Sequence, residues 1–166
     1  MPITVREATP TEYGAVGRVT AGAYREFVRP DSDWEDYLAR IADVAERASR
    51  TTILVAVNED ERIVGSATLE LTARVEPEDD PSLSPEEAHI RMVGVAPDQR
   101  RRGIARALMV ECIARARARD KRYVTLHTTA RMDAAQRMYE SLGFVRGPDR
   151  TFPDGFVLMG YRLDLA

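Results

Sequence analysis

Apolar positions along the chain fall into two rhythms, one of period two and one near 3.6, and their succession predicts the order of elements. Ile3 and Val5 alternate with polar neighbours as a first strand. Thr9-Pro10-Thr11-Glu12 follows as a capping box with proline at the first helical position. Tyr13, Val16, Thr20, Ala23 and Phe27 then recur at helical spacing, which predicts a helix over residues 10–27 ended by Pro30. A second box, Ser32-Asp33-Trp34-Glu35, opens another helix whose stripe is Trp34, Tyr37, Leu38, Ile41, Val44, Ala45 and Ala48. Residues 52–57 (TILVAV) and 63–71 read as a hairpin around a polar turn. Residues 74–87 hold Pro77, Pro81 and Pro85 without periodicity and form a loop, with room for one helical turn at Ser84-Pro85-Glu86-Glu87.

The second half of the chain is more regular. In residues 88–119 (AHIRMVGVAPDQRRRGIARALMVECIARARAR) the apolar run Ile90, Met92, Val93 and Val95 is broken by Pro97 and Asp98. Gly103 stands where the next helix begins, and Ile104, Ala105, Leu108, Met109, Cys112, Ile113 and Ala116 form its buried stripe. Residues 123–128 (YVTLHT) alternate as a strand. Residues 133–144 (DAAQRMYESLGF) return to helical spacing, with Asp133 and Gln136 as a third capping box and Gly143 at the helix end. Phe144-Val145 continues as a strand, and residues 156–165 alternate once more to close the sheet.

A strand that delivers a loop to a helix start makes an anion site. The first N–H groups of the helix lack intrahelical acceptors, and the macrodipole is positive there. Arg100, Arg101 and Arg102 add cationic side chains, and Gly103 has none to hold an anion off the backbone. The loop is not a Walker loop, since Gly-Lys-Ser/Thr is missing, nor a dinucleotide fingerprint, since no G-x-G-x-x-G opens the helix.

Composition narrows the class. With 166 residues, 44% apolar and 31% charged, the chain fits one α/β domain over residues 1–166. The net charge of −3 argues against a nucleic-acid binder, which needs a basic surface and not one basic loop. No run reaches the length of a membrane helix and the N-terminus lacks an apolar signal core, so a cytoplasmic location without membrane contact is expected. Cys112, the single cysteine, has no second to pair with, and no metal site is expected. Glu76, Glu78, Asp79, Asp80, Glu86 and Glu87 make an acidic segment whose field would favour cationic acceptors if it borders the site.

The spacing Arg100-x-x-Gly103-x-Ala105, entered from VGVAP and followed by strand, helix and YESLGF, resembles the acetyl-CoA loop of the GNAT superfamily of N-acyltransferases. The resemblance covers residues 88–144 closely and the flanks only in element order. It implies a mixed, mostly antiparallel sheet splayed between its fourth and fifth strands, flanked by about four helices, with acetyl-CoA as donor in the cleft. Val93, Gly94 and Val95 would hold the pantetheine arm. Arg100, Arg101, Arg102, Gly103, Ile104, Ala105 and Arg106 would hold the pyrophosphate. Tyr139 falls where the family often has a tyrosine near the thioester sulfur. Two positions depart from the commoner pattern: Met132 replaces a frequent cofactor-contacting asparagine, and His89 a frequent glutamate.

Acetyl transfer to an amine needs proximity, a neutral amine, an oxyanion stabiliser and an acid for the thiolate, and no metal. Backbone N–H groups near Val95 suit the oxyanion, and Tyr139 the thiolate. Histidine accepts a proton near neutral pH without perturbation, so His89 is the preferred base, with Glu70 and Glu87 in reserve. On a regular strand His89 shares a face with Arg91, Val93 and Val95. A structural role for His89 and for His127, the other histidine, stands as the alternative. At the level of function, the resemblance implies an N-acetyltransferase acting on a primary amine, as monomer or homodimer. The rival is an acyl-CoA-binding sensor without turnover.

Overall fold

The computed structural model describes residues 2–27, 32–73, 83–129, 132–153 and 155–165, the side chains of residues 27 and 32–34 excepted. The acidic residues Glu76, Glu78, Asp79 and Asp80, with Pro30 and the side chains of Phe27, Ser32, Asp33 and Trp34, lie outside the described residues. Eight strands form one sheet: β1 (Thr4–Glu7), β2 (Thr52–Val57), β3 (Ile63–Glu70), β4 (Glu87–Val95), β5 (Tyr123–Thr128), β6 (Val145–Arg146), β7 (Arg150–Thr151) and β8 (Val157–Asp164). Their order is β1-β2-β3-β4-β5-β8-β6, with β7 also on β8. Only β4 and β5 run parallel; the other pairs are antiparallel.

Among the described residues five helices flank the sheet: α1 (Tyr13–Tyr24), α2 (Ser32–Ala42), α3 (Val44–Ala48), α4 (Ile104–Ala118) and α5 (Asp133–Ser141). The first predicted helix begins and ends in 3-10 turns, Pro10–Glu12 and Arg25–Phe27. The second predicted helix breaks in two at Asp43, whose carboxylate accepts from the Glu46 N–H at 3.3 Å and restarts the chain as α3. Arg47 explains the break. Its guanidinium, 1% exposed, donates to the Arg40 and Asp43 carbonyls at 3.0 and 3.3 Å and to the Thr68 hydroxyl at 3.1 Å. An unbroken helix would use those carbonyls internally, and a buried cation needs them more. Nothing in the apolar stripe signals this.

The sheet is covered on both faces. Against one face lie α4 and α5, with Leu54, Leu69, Ile90, Leu108, Met109 and Tyr139 in the main core. Each full burial of such an aliphatic side chain contributes about 1.5–3 kcal/mol. Against the other face lie α1, α2 and α3, where Val16, Val44, Ile53 and Val55 meet, and beside them Leu38, Ile41 and Met92. Two-sided burial accounts for the continuous apolar run of β2. Gly17 lets α1 and α2 touch backbone to backbone, since a Cβ there would lie 2.1 Å from the Ala42 carbonyl oxygen. Among the described residues no helix is long and apolar enough to cross a membrane.

Two irregularities set β4 apart from its neighbours. The parallel pairing of β4 with β5 runs from Glu87 opposite Tyr123 to Ile90 opposite Leu126 and stops, while β4 continues to Val95. The strands therefore splay. In the same stretch β4 carries a bulge: Thr68 of β3 pairs with Arg91, but Ser66, two residues earlier, pairs with Gly94, three residues later. Met92 sits in the bulge with φ 55°, a left-handed conformation costly for a residue with a side chain.

Candidate active site

The splay opens a cleft of about 630 Å³. Its walls come from β4 (Val93, Gly94, Val95), the loop and start of α4 (Arg100, Arg101, Gly103, Ile104, Ala105, Arg106), β5 (His127, Thr128) and α5 (Met132, Tyr139). Of the predicted donor-binding residues, only Arg102 does not line it. Pro97–Gln99 forms a 3-10 turn, and the chain then enters α4 through Arg101 at φ 66° and Gly103 at φ 76°, the helix cap. A Cβ on Gly103 would meet nothing within 4 Å, so the approach to the first N–H groups of α4 is open. Arg106 is fixed sideways, donating to the Ser141 hydroxyl at 2.9 Å and joining α4 to the end of α5. Arg100 reaches the other way, to an ion pair with Glu26 and, at 3.3 Å, the Ala23 carbonyl.

Tyr139 is buried, with Phe144 and Tyr161 at centroid distances of 6.0 and 5.9 Å. Loss of hydration pushes its phenol well up from the ordinary value, so the hydroxyl stays protonated as a donor. Burial likewise pushes the Cys112 thiol up to about 12, which removes it as a nucleophile near neutral pH. At the start of α5 the third predicted capping box does not form. Met132 takes the cap position without a side-chain bond, and Gln136 instead donates to the Thr129 carbonyl at 2.7 Å, tying α5 to the end of β5.

The bulge corrects one expectation. His89 and Arg91 do lie on one face, that of α1 to α3, together with Met92 and Gly94; a Cβ on Gly94 would lie 2.9 Å from that of Ala23. Val93 and Val95 turn to the opposite face and pack on the α4 core. The extra residue reverses the alternation, and sequence periodicity does not reveal it. His89 (2% exposed) and Glu70 (0%) are paired across the strands and do not line the cleft. Glu70 carries an ion pair with Arg91 at 3.3 Å. The Thr125 hydroxyl donates to the Glu87 carboxylate, so its lone pairs accept from His89 Nδ1–H at 2.7 Å. That direction places the proton of a neutral His89 on Nδ1.

Reasoning from sequence passed over two residues at this site. His127 on β5 is exposed, lines the cleft, and has its ring 5.4 Å from that of His89. Thr125, two residues before it, joins His89 to Glu87. Both could have been found from the alternation of YVTLHT, which puts Tyr123, Thr125 and His127 on the side opposite the core residues Val124 and Leu126. Tyr24 also lines the cleft, from the end of α1.

Compared with known proteins, the chain resembles acetyltransferases along its whole length. It shares the fold of an acetyltransferase of the GNAT family from Staphylococcus aureus Mu50 (TM-score 0.74, 17% identity, 99% of this chain and 100% of that one). The same holds for the ribosomal-protein-S18-alanine N-acetyltransferase of Escherichia coli (0.71, 20%, 99% and 95%). It holds too for YncA of Salmonella typhimurium, solved with its cofactor acetyl-CoA (0.70, 19%, 100% and 95%). A search of curated proteins by sequence found no match. Residues 18–144, which contain the splay, the glycine-capped α4 and the tyrosine of α5, match the acetyltransferase (GNAT) family, and the chain belongs to that family.

Proposed function

We propose that this protein transfers an acetyl group from acetyl-CoA to a primary amine, of a small molecule or a protein, by direct attack in a ternary complex. The observation that carries the reading is the coincidence of two features in one cleft: β4 parts from β5 where Val93 to Val95 line it, and the open, glycine-capped start of α4 faces the same space. The residues suit a CoA thioester. Uncapped N–H groups at Ile104 to Arg106, with the helix dipole and the exposed Arg101, favour a pyrophosphate. β4 backbone beyond Ile90, no longer paired to β5, suits an amide-bearing arm.

Bound there, the thioester supplies an activated acyl carbon. Backbone N–H groups near Val95 stabilise negative charge on its oxygen. The Tyr139 hydroxyl, held protonated by burial, donates to the departing sulfur. The test is titration with acetyl-CoA by calorimetry, followed by release of free CoA thiol with a panel of amines that includes amino acids, polyamines and peptide N-termini. Saturable binding with amine-dependent thiol release is expected. Binding without release for any amine would leave a sensor, and absence of binding would refute the assignment.

A further inference from the structure

We infer that His127, and not the buried His89, is the base that takes the proton from the acceptor amine; this rests on the acetyltransferase reading. Three observations converge on it. His127 is the first residue of β5 beyond its last pair with β4, so it stands at the mouth of the splay. It is exposed and lines the cleft beside Val93 to Val95, whereas His89 and Glu70 are buried and off the cleft. It lies on the face of the sheet opposite the α4 and α5 core that holds Tyr139. A thiolate-side donor and an amine-side acceptor thus approach the split from opposite faces of the sheet.

The surroundings of His127 are built for this. Opposite it on β8 stands Gly160, where a Cβ would lie 2.1 Å from the Pro148 carbonyl oxygen. The missing side chain lets residues 147–149 close over the strand, with the Gly160 N–H donating to Asp149 at 3.0 Å and the Asp149 charge in the field of His127. Behind His127, the His89 ring is held by Thr125 and Glu87. The His89 ring stands 5.4 Å from that of His127, tilted by 50°. Ionisable groups on the same face as His127 are Glu70 on β3, Glu87, His89 and Arg91 on β4, Tyr123 on β5, and Arg162 and Asp164 on β8, with Asp149 nearby and with Tyr24, Arg100, Arg101, Arg106, Asp133, Arg137 and Tyr139 lining the same cleft.

In the step itself the alkylammonium R–NH3+ gives one proton to the imidazole of His127. The neutral nitrogen attacks the thioester carbon, the C–N bond forms and the C–S bond breaks. The second nitrogen proton passes to the sulfur with the help of Tyr139, leaving amide and free thiol. The imidazolium returns its proton to water, which its exposure permits.

The experiment compares wild type with His127→Gln on two probe amines, propylamine, almost wholly protonated at pH 7, and methoxyamine, which arrives neutral. With propylamine at pH 7, kcat/KM of the variant falls by about 10²-fold and recovers as the pH rises, while with methoxyamine it stays within about threefold. Calorimetric affinity for acetyl-CoA is unchanged. Independently of turnover, proton NMR of the protein alone resolves the C2–H signals of its 2 histidines. The signal lost in His127→Gln titrates with a midpoint equal to the acidic limb of the wild-type kcat/KM profile. Equal losses on both amines, or a midpoint that does not match the limb, overturn the base assignment and leave the acetyltransferase reading standing. A wild type that binds no acetyl-CoA overturns both.

Discussion

The two sides of the split are made of different material. On the α4 side the site is backbone: one loop, one left-handed glycine and one helix start, contiguous from residue 97 to residue 106. On the α1 side it is side chains, brought from β3, β4 and β5 by register, with Thr125 joining Glu87 to His89 and the His127 ring alongside. A phosphate group is the same in every member of a chemistry, so a local peptide solution suffices. The cluster on the α1 side is instead assembled from parts distant in sequence.

The largest expected effect falls on the backbone side. Gly103→Glu places bulk and negative charge in the open space before α4, and acetyl-CoA affinity drops at least about a hundredfold, the worth of one or two charge-assisted hydrogen bonds. Because Gly103 has φ 76°, any side chain there also costs about 1–2 kcal/mol of strain. Gly103→Ala separates the two effects, losing stability but retaining most of the binding in calorimetry. Unchanged affinity in a folded Gly103→Glu protein would put the anion elsewhere.

Next in size, Tyr139→Phe lowers kcat by about 10²-fold and leaves acetyl-CoA affinity alone, since only the thiolate donor is removed. Single-turnover kinetics at saturating donor decide this, and a rate within about twofold of wild type leaves the ring as packing.

On the side-chain face, Thr125→Val keeps the shape but deletes the hydroxyl between His89 and Glu87. Urea unfolding at pH 7 should show a loss of about 1–3 kcal/mol, with donor affinity intact. A loss of donor affinity instead would mean that the two sides are not separable.

The smallest effect lies away from both. The Arg6 guanidinium, bonded to both Glu12 oxygens at 2.9 and 2.8 Å, with the Thr9 N–H, holds the Glu12 carboxyl down to about 2. A depressed carboxyl stabilises the fold above its ordinary value of 4.5, and the contribution fades as the pH falls toward about 2. The pair is partly exposed, so Glu12→Gln costs about 0.5 kcal/mol at pH 7 and progressively less in acid.

The same division explains what could be read from the sequence. The succession of elements, the hairpin, the α4 stripe and the glycine-capped loop follow from local rhythm, and the cleft gathers all the anticipated donor-binding residues but Arg102. Arg47 was illegible because a buried guanidinium is placed by carbonyls that become available only when the helix breaks at Asp43. The Met92 bulge was illegible because an inserted residue leaves the apolar run intact while reversing which residues face which layer. His127 was visible as one of two histidines, but its exposure at the cleft depends on where the β4 and β5 pairing ends.

That bulge makes β4 a strand with two independent readers. Ala88, Ile90, Val93 and Val95 are seen by the α4 layer of the molecule, and His89, Arg91, Met92 and Gly94 by the α1 to α3 layer. Substitutions at positions 89 and 91 therefore act on the α1 to α3 layer, and those at 93 and 95 on the α4 layer. A single-residue deletion at Met92 would remove the bulge and leave Arg91, Val93, Gly94 and Val95 on the faces they already occupy, in unbroken register with β3. One extra residue in one strand thus lets two neighbouring side chains, Arg91 and Met92, serve the same layer.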